Sequence, residues 1–349
     1  MIDEMLSQLS QWLRGGGLES EIVISCRIRL ARNLSGYPFV SRATETDRRG
    51  IRDIVYRVVG DNFGVSDFYF VDIDSLSPLD RMYLLERQLI SRELVESAGT
   101  RAALIKRDES FCIMINEEDH LRLHATTSGF EPMRIWQLLN EIDDKLAANL
   151  SYSFHRQLGY LSACPTNVGT GMRVSVMLHL PALAVTKEIE KVFRSLQKVN
   201  LTIRGLYGEN SQPVGDLYQI SNQITLGKTE SELIATLQNF VPQILTFERQ
   251  SRDFLLREQR EILLDRCSRA VGLLKTARTI GSVETLHHLS SLRLGVNMGL
   301  IDNIAIDDIN RLFLNTQPAH LQKILGEKLA QNERDVERAK YLRSNLGTI

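Results

Sequence analysis

The sequence predicts an α+β protein that ends in a smaller, all-helical domain. Segments with period-two apolar alternation, such as Val174, Val176, Leu178 and Leu180, read as strands with one face buried. Between them lie stretches with apolar residues three and four apart, such as Leu138, Leu139, Ile142 and Leu146, which read as helices. From about residue 255 onward only the helical period persists, with breaks near Gly281, Asp302 and Thr316-Gln317-Pro318. At 349 residues the chain has room for two domains. The expected division is a short helical segment over 1–20, a mixed domain over 21–254 and a helical domain over 255–349.

Composition excludes several classes. A hydrophobic content of 43% with 24% charged residues is ordinary for a globular protein. A net charge of −1 creates no field that would favour nucleic acid or a membrane surface. No apolar run reaches membrane-spanning length, and Met1-Ile-Asp-Glu lacks the basic start of a signal peptide. Cys26, Cys112, Cys164 and Cys267 are scattered without metal-ligand spacing, which suits a reducing cytoplasm and suggests no protein-built metal site.

Taken in order, residues 3–14 read as one amphipathic helix bearing Met5, Leu9, Trp12 and Leu13, stopped by Gly15-Gly16-Gly17. Glu21 to Leu30 is an expected strand that sets Arg27 and Arg29 on one face, where like charges repel unless an anion lies between them. A helix over 44–60, a strand over Asp67–Ile73, a helix from Pro78 to Val95 and strands at Arg101–Arg107 and Phe111–Asn116 follow. Helix 131–149 leads through an apolar stretch, Tyr152–Leu158, to a loop. After Pro181 come a helix over 186–197, a strand at Leu201–Arg204, the segment 218–227, and a helix from Glu230 to about 265 that contains Pro242.

Two short stretches carry chemistry. Cys164-Pro-Thr-Asn-Val-Gly-Thr-Gly-Met-Arg173 is a loop whose prolines and glycines let backbone approach a ligand, with a thiol at its start and an arginine where the next strand begins. It lacks the Gly-Lys-Ser/Thr of a phosphate loop. Asn116-Glu-Glu-Asp-His-Leu-Arg122 places three carboxylates in a row, which repel unless cations or a metal balance them. On residue patterns alone, each is equally a solvated turn or an ordinary loop.

The cysteine loop resembles that of the guanidino phosphotransferases, the creatine and arginine kinase family. Three further segments match that family in order: Ser25-Cys26-Arg27-Ile28-Arg29 within 25–32, the acidic segment 116–122, and Arg204-Gly205-Leu206-Tyr207-Gly208-Glu209. The resemblance implies an antiparallel sheet flanked by helices, ATP as phosphoryl donor and Mg²⁺ bridging its phosphates. It assigns Arg27, Arg29, Arg122, Arg173 and Arg204 to the phosphates. Gln88 stands where relatives often have His, and Cys26 where many have Ser. The nucleotide-binding segments also include Val174, Ser175, Val176 and Met177. Glu118 and Glu209 carry over as the carboxylates that orient the acceptor guanidinium and take its proton. Cys164 carries over as a thiolate that tunes the site without attacking, and His120 as the residue that orients the acidic turn.

The helical C-terminal segment resembles that of the bacterial protein-arginine kinase McsB family. Arg334-Asp335-Val336-Glu337-Arg338-Ala339 fits the family's phosphoarginine-binding pattern, and positions 334, 335, 338 and 339 share one side of a helix. Two arginines would grip a phosphate while Asp335 meets a guanidinium. This resemblance implies protein substrates with exposed arginines, an McsA-type activator, a ClpC-type unfoldase, a CtsR-type repressor as substrate, and a homodimer. A free-arginine phosphagen kinase and an inactive phosphoarginine-binding adaptor remain as alternatives. The small-molecule kinases carry a whole helical domain where this chain has one short segment, which argues against the first. The retained glutamates, cysteine and arginines argue against the second.

Overall fold

The computed structural model describes residues 1–205 and 213–346. The N-terminal segment is not one helix. A short α1 (Ile2–Leu6) is followed by a separate turn of 3₁₀-helix at Gln11–Leu13. Met5 packs with the apolar cluster at one end of the molecule, while Trp12 and Leu13 join the cluster at the other, so the chain must open between them. Ser10 fixes the opening by donating to Glu109 at 2.8 Å and to the carbonyl of Arg87.

One eight-stranded sheet organises the rest of the mixed domain. Its strands are β1 (Val23–Arg32), β2 (Phe68–Asp72), β3 (Ala102–Lys106), β4 (Phe111–Ile115), β5 (Leu121–Ser128), β8 (Met172–His179), β9 (Leu201–Arg204) and β10 (Leu217–Asn222). Their order is β2-β3-β4-β5-β1-β8-β10-β9, and every neighbouring pair is antiparallel. The remaining strands, β6 (Phe154–His155) and β7 (Gly159–Tyr160), form a separate hairpin. Phe154 and Leu158 of the apolar stretch Tyr152–Leu158 are exposed there.

One face of the sheet carries Cys26, Ile28, Leu30, Ile113, Leu123, Val174 and Val176. Against it pack α2 (Glu45–Phe63) and α5 (Pro132–Ala147), joined by the N-terminal half of α8 (Glu230–Glu258). In α5 the buried stripe is Ile135, Leu139, Ile142 and Leu146; Leu138 faces solvent. Helix α8 runs through Pro242 and past residue 254 without a stop, and the chain bends only at Gln259.

The other face is covered at both ends and open in the middle. At the β2–β4 end lie α3 (Pro78–Glu86) and α4 (Arg92–Glu96). The expected single helix from Pro78 to Val95 breaks because Gln88 takes a left-handed φ of 59°, and Ser91 then caps α4 by accepting from the Leu94 amide at 3.1 Å. After β8 a short α6 (Pro181–Val185) precedes α7 (Ile189–Gln197), which occupies the helix expected over 186–197.

The C-terminal helices are α9 (Arg260–Thr276), α10 (Ser282–Asn297), α11 (Ile306–Asn315), α12 (Pro318–Leu325) and α13 (Gln331–Leu346). Of these, α10, α11 and α12 start near the breaks the sequence marks, whereas α9 and α13 start where it marks none, and the helix expected to run from Glu230 to about 265 ends at Glu258. The C-terminal helices cover the β8–β10 end, where Met177 and Leu217 join Leu286, Leu289 and Leu292. Strand β8 is therefore buried on both faces rather than one, and His179 meets the Ser290 hydroxyl at 2.9 Å. At the opposite end Glu86 of α3 accepts the Ala319 and His320 amides of α12 at 2.8 and 3.0 Å. A carboxylate at these first N–H groups completes the helix as a cap would. Between these covers the middle strands β5, β1 and β8 line a cleft with their arginines.

Candidate active site

Antiparallel register builds the floor of the open cleft. Arg29 on β1 lies opposite Arg173 on β8 and His124 on β5, while Arg27 lies two residues back on the same face. Arg122, two residues before His124, completes the floor. Gln88, Glu117, Glu118, Cys164 and Arg204 stand around it, and all line one cleft with Arg27, Arg29, Arg122 and Arg173.

This charge is uncompensated near β1. No hydrogen bond engages the guanidinium of Arg27 or Arg29 among the described residues, and Nε of Arg29 is buried without a partner. Burial, then the Arg173 charge, pulls the Arg27 guanidinium down to about 10. Arg29 falls well below the usual range through burial and the charges of Arg27, Arg173 and Arg122. Such a cluster is stable only because the rest of the fold holds it, and an anion with several oxygens would relieve it.

Arg122 has a different environment. Burial lowers it, but Glu117, Asp119 and Glu118 outweigh that and hold its charge above the ordinary arginine range. Glu117, which the sequence did not single out, is buried, bonds Arg122 and accepts from the Ser91 hydroxyl. Glu118 reaches Arg122 more loosely, at 3.2 Å, and remains 41% exposed at the cleft. Burial, followed by the Asp119 and Glu117 charges, outweighs Arg122 and raises the Glu118 carboxyl above its ordinary value. One of the three acids thus anchors an arginine while its neighbour stays available.

The third acid ties the two chemical loops together. Asp119 accepts from the amide of Ala163, immediately before Cys164, and from Asn33, both at 2.7 Å. His120 orients the turn as expected: Nδ1 accepts from the Leu34 amide at 2.9 Å and Nε2 donates to the Pro38 carbonyl at 2.8 Å. Beneath the cysteine loop, Arg32 donates to the Thr170 carbonyl at 2.9 Å and makes a forked contact with Asp143 at 3.1 and 2.7 Å. Gly171 must be glycine here, since its φ is +63° and a Cβ would lie 2.6 Å from the Ala31 carbonyl. Cys164 sits at the loop's start with its sulfur 3.0 Å from the Thr166 hydroxyl.

Comparison with known proteins gives the family of the chain. Residues 51–251 match the C-terminal catalytic domain of the ATP:guanido phosphotransferases, and residues 260–349 match the C-terminal domain of the protein-arginine kinase McsB. The chain is 42% identical to a protein-arginine kinase of Halothermothrix orenii, across 99% of this chain and 98% of the relative. It is 43% identical to one from Clostridium novyi, across 98% and 99%. The chain belongs to the protein-arginine kinase family of ATP:guanido phosphotransferases. Among solved structures, lombricine kinase is similar with a TM-score of 0.58 at 27% identity, over 70% of each chain.

Family membership sharpens which expected residues the structure gathers. The five arginines, Glu118, Cys164 and Gln88 share the cleft. Cys26, Ile28, Val174 and Val176 turn to the opposite face and pack in the core, so their side chains lie away from it. Burial above all brings the Cys26 thiol up to about 12, the behaviour of an inert core cysteine. Ser25 and Ser175 are buried, and Met177 packs against the C-terminal helices. Gly205 closes β9, while Leu206, Tyr207, Gly208 and Glu209 lie outside the described residues. Asp119, Arg32 and Asp143 escaped sequence reasoning because their roles rest on contacts between segments 44 and 111 residues apart.

A second cleft of about 560 Å³ lies in the C-terminal domain, lined by Gly281–Glu284, His287, Pro318, Gln331, Arg334, Asp335 and Arg338. Arg338 is nearly fully buried and largely committed. It donates to the Thr316 carbonyl at 2.7 Å, the Ile280 carbonyl at 2.9 Å and Asp335 at 2.6 Å. The expected pair of gripping arginines is thus unequal, and Asp335 already faces a guanidinium of its own chain. Ala339 is core, packed with Leu342 and Leu346.

Proposed function

We propose that this protein transfers the γ-phosphoryl group of ATP to arginine side chains of other proteins, yielding ADP and phosphoarginine. The observation that carries the reading is the gathering of five arginines, Glu118 and Cys164 around one cleft. Phosphoryl transfer asks a protein mainly for in-line positioning and charge neutralisation, and forked guanidiniums supply both to phosphate oxygens. Arg27 and Arg29, with no engaged donors among the described residues, suit the triphosphate.

Among the described residues no group of three His, Cys, Asp or Glu side chains could hold a metal. Mg²⁺ would be carried by the nucleotide's own oxygens and water, where it would offset phosphate charge. The acceptor arginine must be oriented and relieved of a proton before its nitrogen can attack phosphorus. Glu118 serves that role, with Glu209 as the second carboxylate of the proposal. Cys164 lies at the same rim and adjusts the field around the guanidinium. Replacing Cys164 with Ala should slow turnover by on the order of tenfold, ~1.4 kcal/mol of barrier, without abolishing it, as a steady-state assay would register.

The deciding experiment is mass spectrometry under non-acidic conditions after incubation with ATP, Mg²⁺ and casein. Phosphate on arginine supports the reading. Turnover with free arginine but none on protein would instead indicate a phosphagen kinase, and silence in both an adaptor. The wider proposal places the protein in the cytoplasm as a homodimer, with an McsA-type activator, a ClpC-type unfoldase and a CtsR-type repressor as partners, on kinship alone.

A second reading concerns the C-terminal cleft, which we assign to phosphoarginine. Arg338 frames it and Arg334 is the cation left to meet the phosphate; Arg334 spends one donor on the Leu329 carbonyl at 2.9 Å. Loss of a charge-assisted contact is worth about 1.5–3 kcal/mol. Arg334→Ala should therefore weaken free phosphoarginine binding by roughly tenfold or more in calorimetry, with the fold intact.

A further inference from the structure

His124 belongs to none of the motifs that marked the cleft, yet it occupies the centre of the floor. Its backbone pairs with Arg29 on one side and with Cys112 on the other. Cys112 is covered by the apolar cluster under α3, so His124 is the last polar side chain before that cover begins. The imidazole is 3% exposed and lines the cleft, and no hydrogen bond engages either ring nitrogen among the described residues. The ring lines the cleft with its nitrogens unspent, open to whatever fills it.

We infer that His124 is a nucleotide-binding residue, a neutral imidazole whose cleft-facing N–H donates to a phosphate oxygen held by the surrounding arginines. The inference rests on the cleft being the nucleotide site. Position explains the residue type. Arg173, Arg29 and position 124 form one row across three adjacent strands, with Arg27 and Arg122 on the flanks. Another permanent cation in that row would add repulsion among arginines that already lose affinity for their protons. Imidazole offers a donor without adding charge while the cleft is empty. Burial, then the charges of Arg27 and Arg29, hold it neutral by bringing it down to about 3.

Steady-state kinetics with varied ATP and a protein substrate test this. His124→Ala should raise KM for ATP roughly tenfold, the loss of one hydrogen bond to a charged group, while KM for the protein substrate stays within twofold. His124→Gln keeps an N–H donor and should recover most of the affinity, which a purely packing role would not predict. An unchanged KM for ATP in His124→Ala would overturn the inference. So would equal damage in the Gln and Ala variants. Arg29→Ala run alongside separates the levels: if it too leaves KM for ATP unchanged, the cleft reading itself fails. Should the His124 variants not fold, the imidazole nitrogens of the unaltered protein can be followed by NMR during addition of ADP and Mg²⁺. A shift at His124 supports contact, and none at saturation overturns it.

Discussion

Glu118→Gln should lower kcat for protein-arginine phosphorylation by about 10²–10⁴-fold, the usual contribution of a positioned general base. The amide keeps the size and hydrogen-bonding reach of the carboxylate but cannot take a proton from the acceptor guanidinium. ATP binding should change little, because Glu117 remains to hold Arg122 through a buried ion pair. The reverse substitution, Glu117→Gln, should damage ATP binding through Arg122, so the two acids separate in a KM-against-kcat comparison. The unaltered protein carries a matching pH signature. Burial raises the Glu118 carboxyl above its ordinary value. A base is active when deprotonated, so kcat/KM should fall as pH drops through that raised value. The acid limb should therefore lie above the ordinary glutamate range, and Glu118→Gln should abolish it. A limb at or below the pKa of a free glutamate, or one that survives in Glu118→Gln, would reject the assignment.

The difference between Glu117 and Glu118 also shows where sequence reading stops. A run of three carboxylates before Arg122 announces a charged turn, but only the fold decides which acid faces inward. Here the turn leaves β4 through Asn116, whose left-handed φ of 58° turns the chain, and whose side chain donates to the Arg48 and Thr100 carbonyls. Glu117 is thereby aimed at Ser91 and Arg122, and Glu118 at the open cleft. The strands were legible for the opposite reason: β1, β3, β4 and β8 carry period-two or continuous apolar patterns that need no distant partner, whereas β5, entered from the acidic segment 116–122, was not read as a strand.

What failed were places where two packing surfaces compete for one segment. Residues 3–14 have a helical stripe, yet Met5 and Trp12 belong to different clusters. Residues 78–95 have a helical stripe too, yet Gln88 breaks it, and that break brings Gln88 and Ser91 to the cleft. The alternation in β8 suggested one exposed face because nothing local announces that the C-terminal helices will cover it. The arginines were readable as phosphate ligands only through resemblance to a family. Their shared face on β1 was readable from spacing alone.

Arg32→Ala should cost about 3–5 kcal/mol of stability, the penalty for leaving one partner of a buried ion pair alone. The side chain is 1% exposed, and its guanidinium grips Asp143, itself 8% exposed, through two donors. It also stacks 3.6 Å from the centre of the Tyr160 ring, adding attraction that Ala cannot replace. Urea denaturation should show a lower midpoint with little change in slope if unfolding stays two-state. The effect should not stop at stability. Arg32 donates to the carbonyl of Thr170, and that residue lies in the loop between Cys164 and Arg173. Without it the loop keeps the backbone bond from the Ala31 amide to the Gly171 carbonyl but loses its side-chain support from β1, and the chemical groups it carries are expected to shift. Below the denaturation midpoint, the folded variant should therefore show reduced kcat as well. Asp143→Asn offers the contrast: it keeps an acceptor for Arg32 and leaves the Thr170 contact in place. It should retain more activity than Arg32→Ala at equal fractions folded. If the two variants are equally active once corrected for folding, the Arg32–Thr170 contact has no part in positioning the cysteine loop.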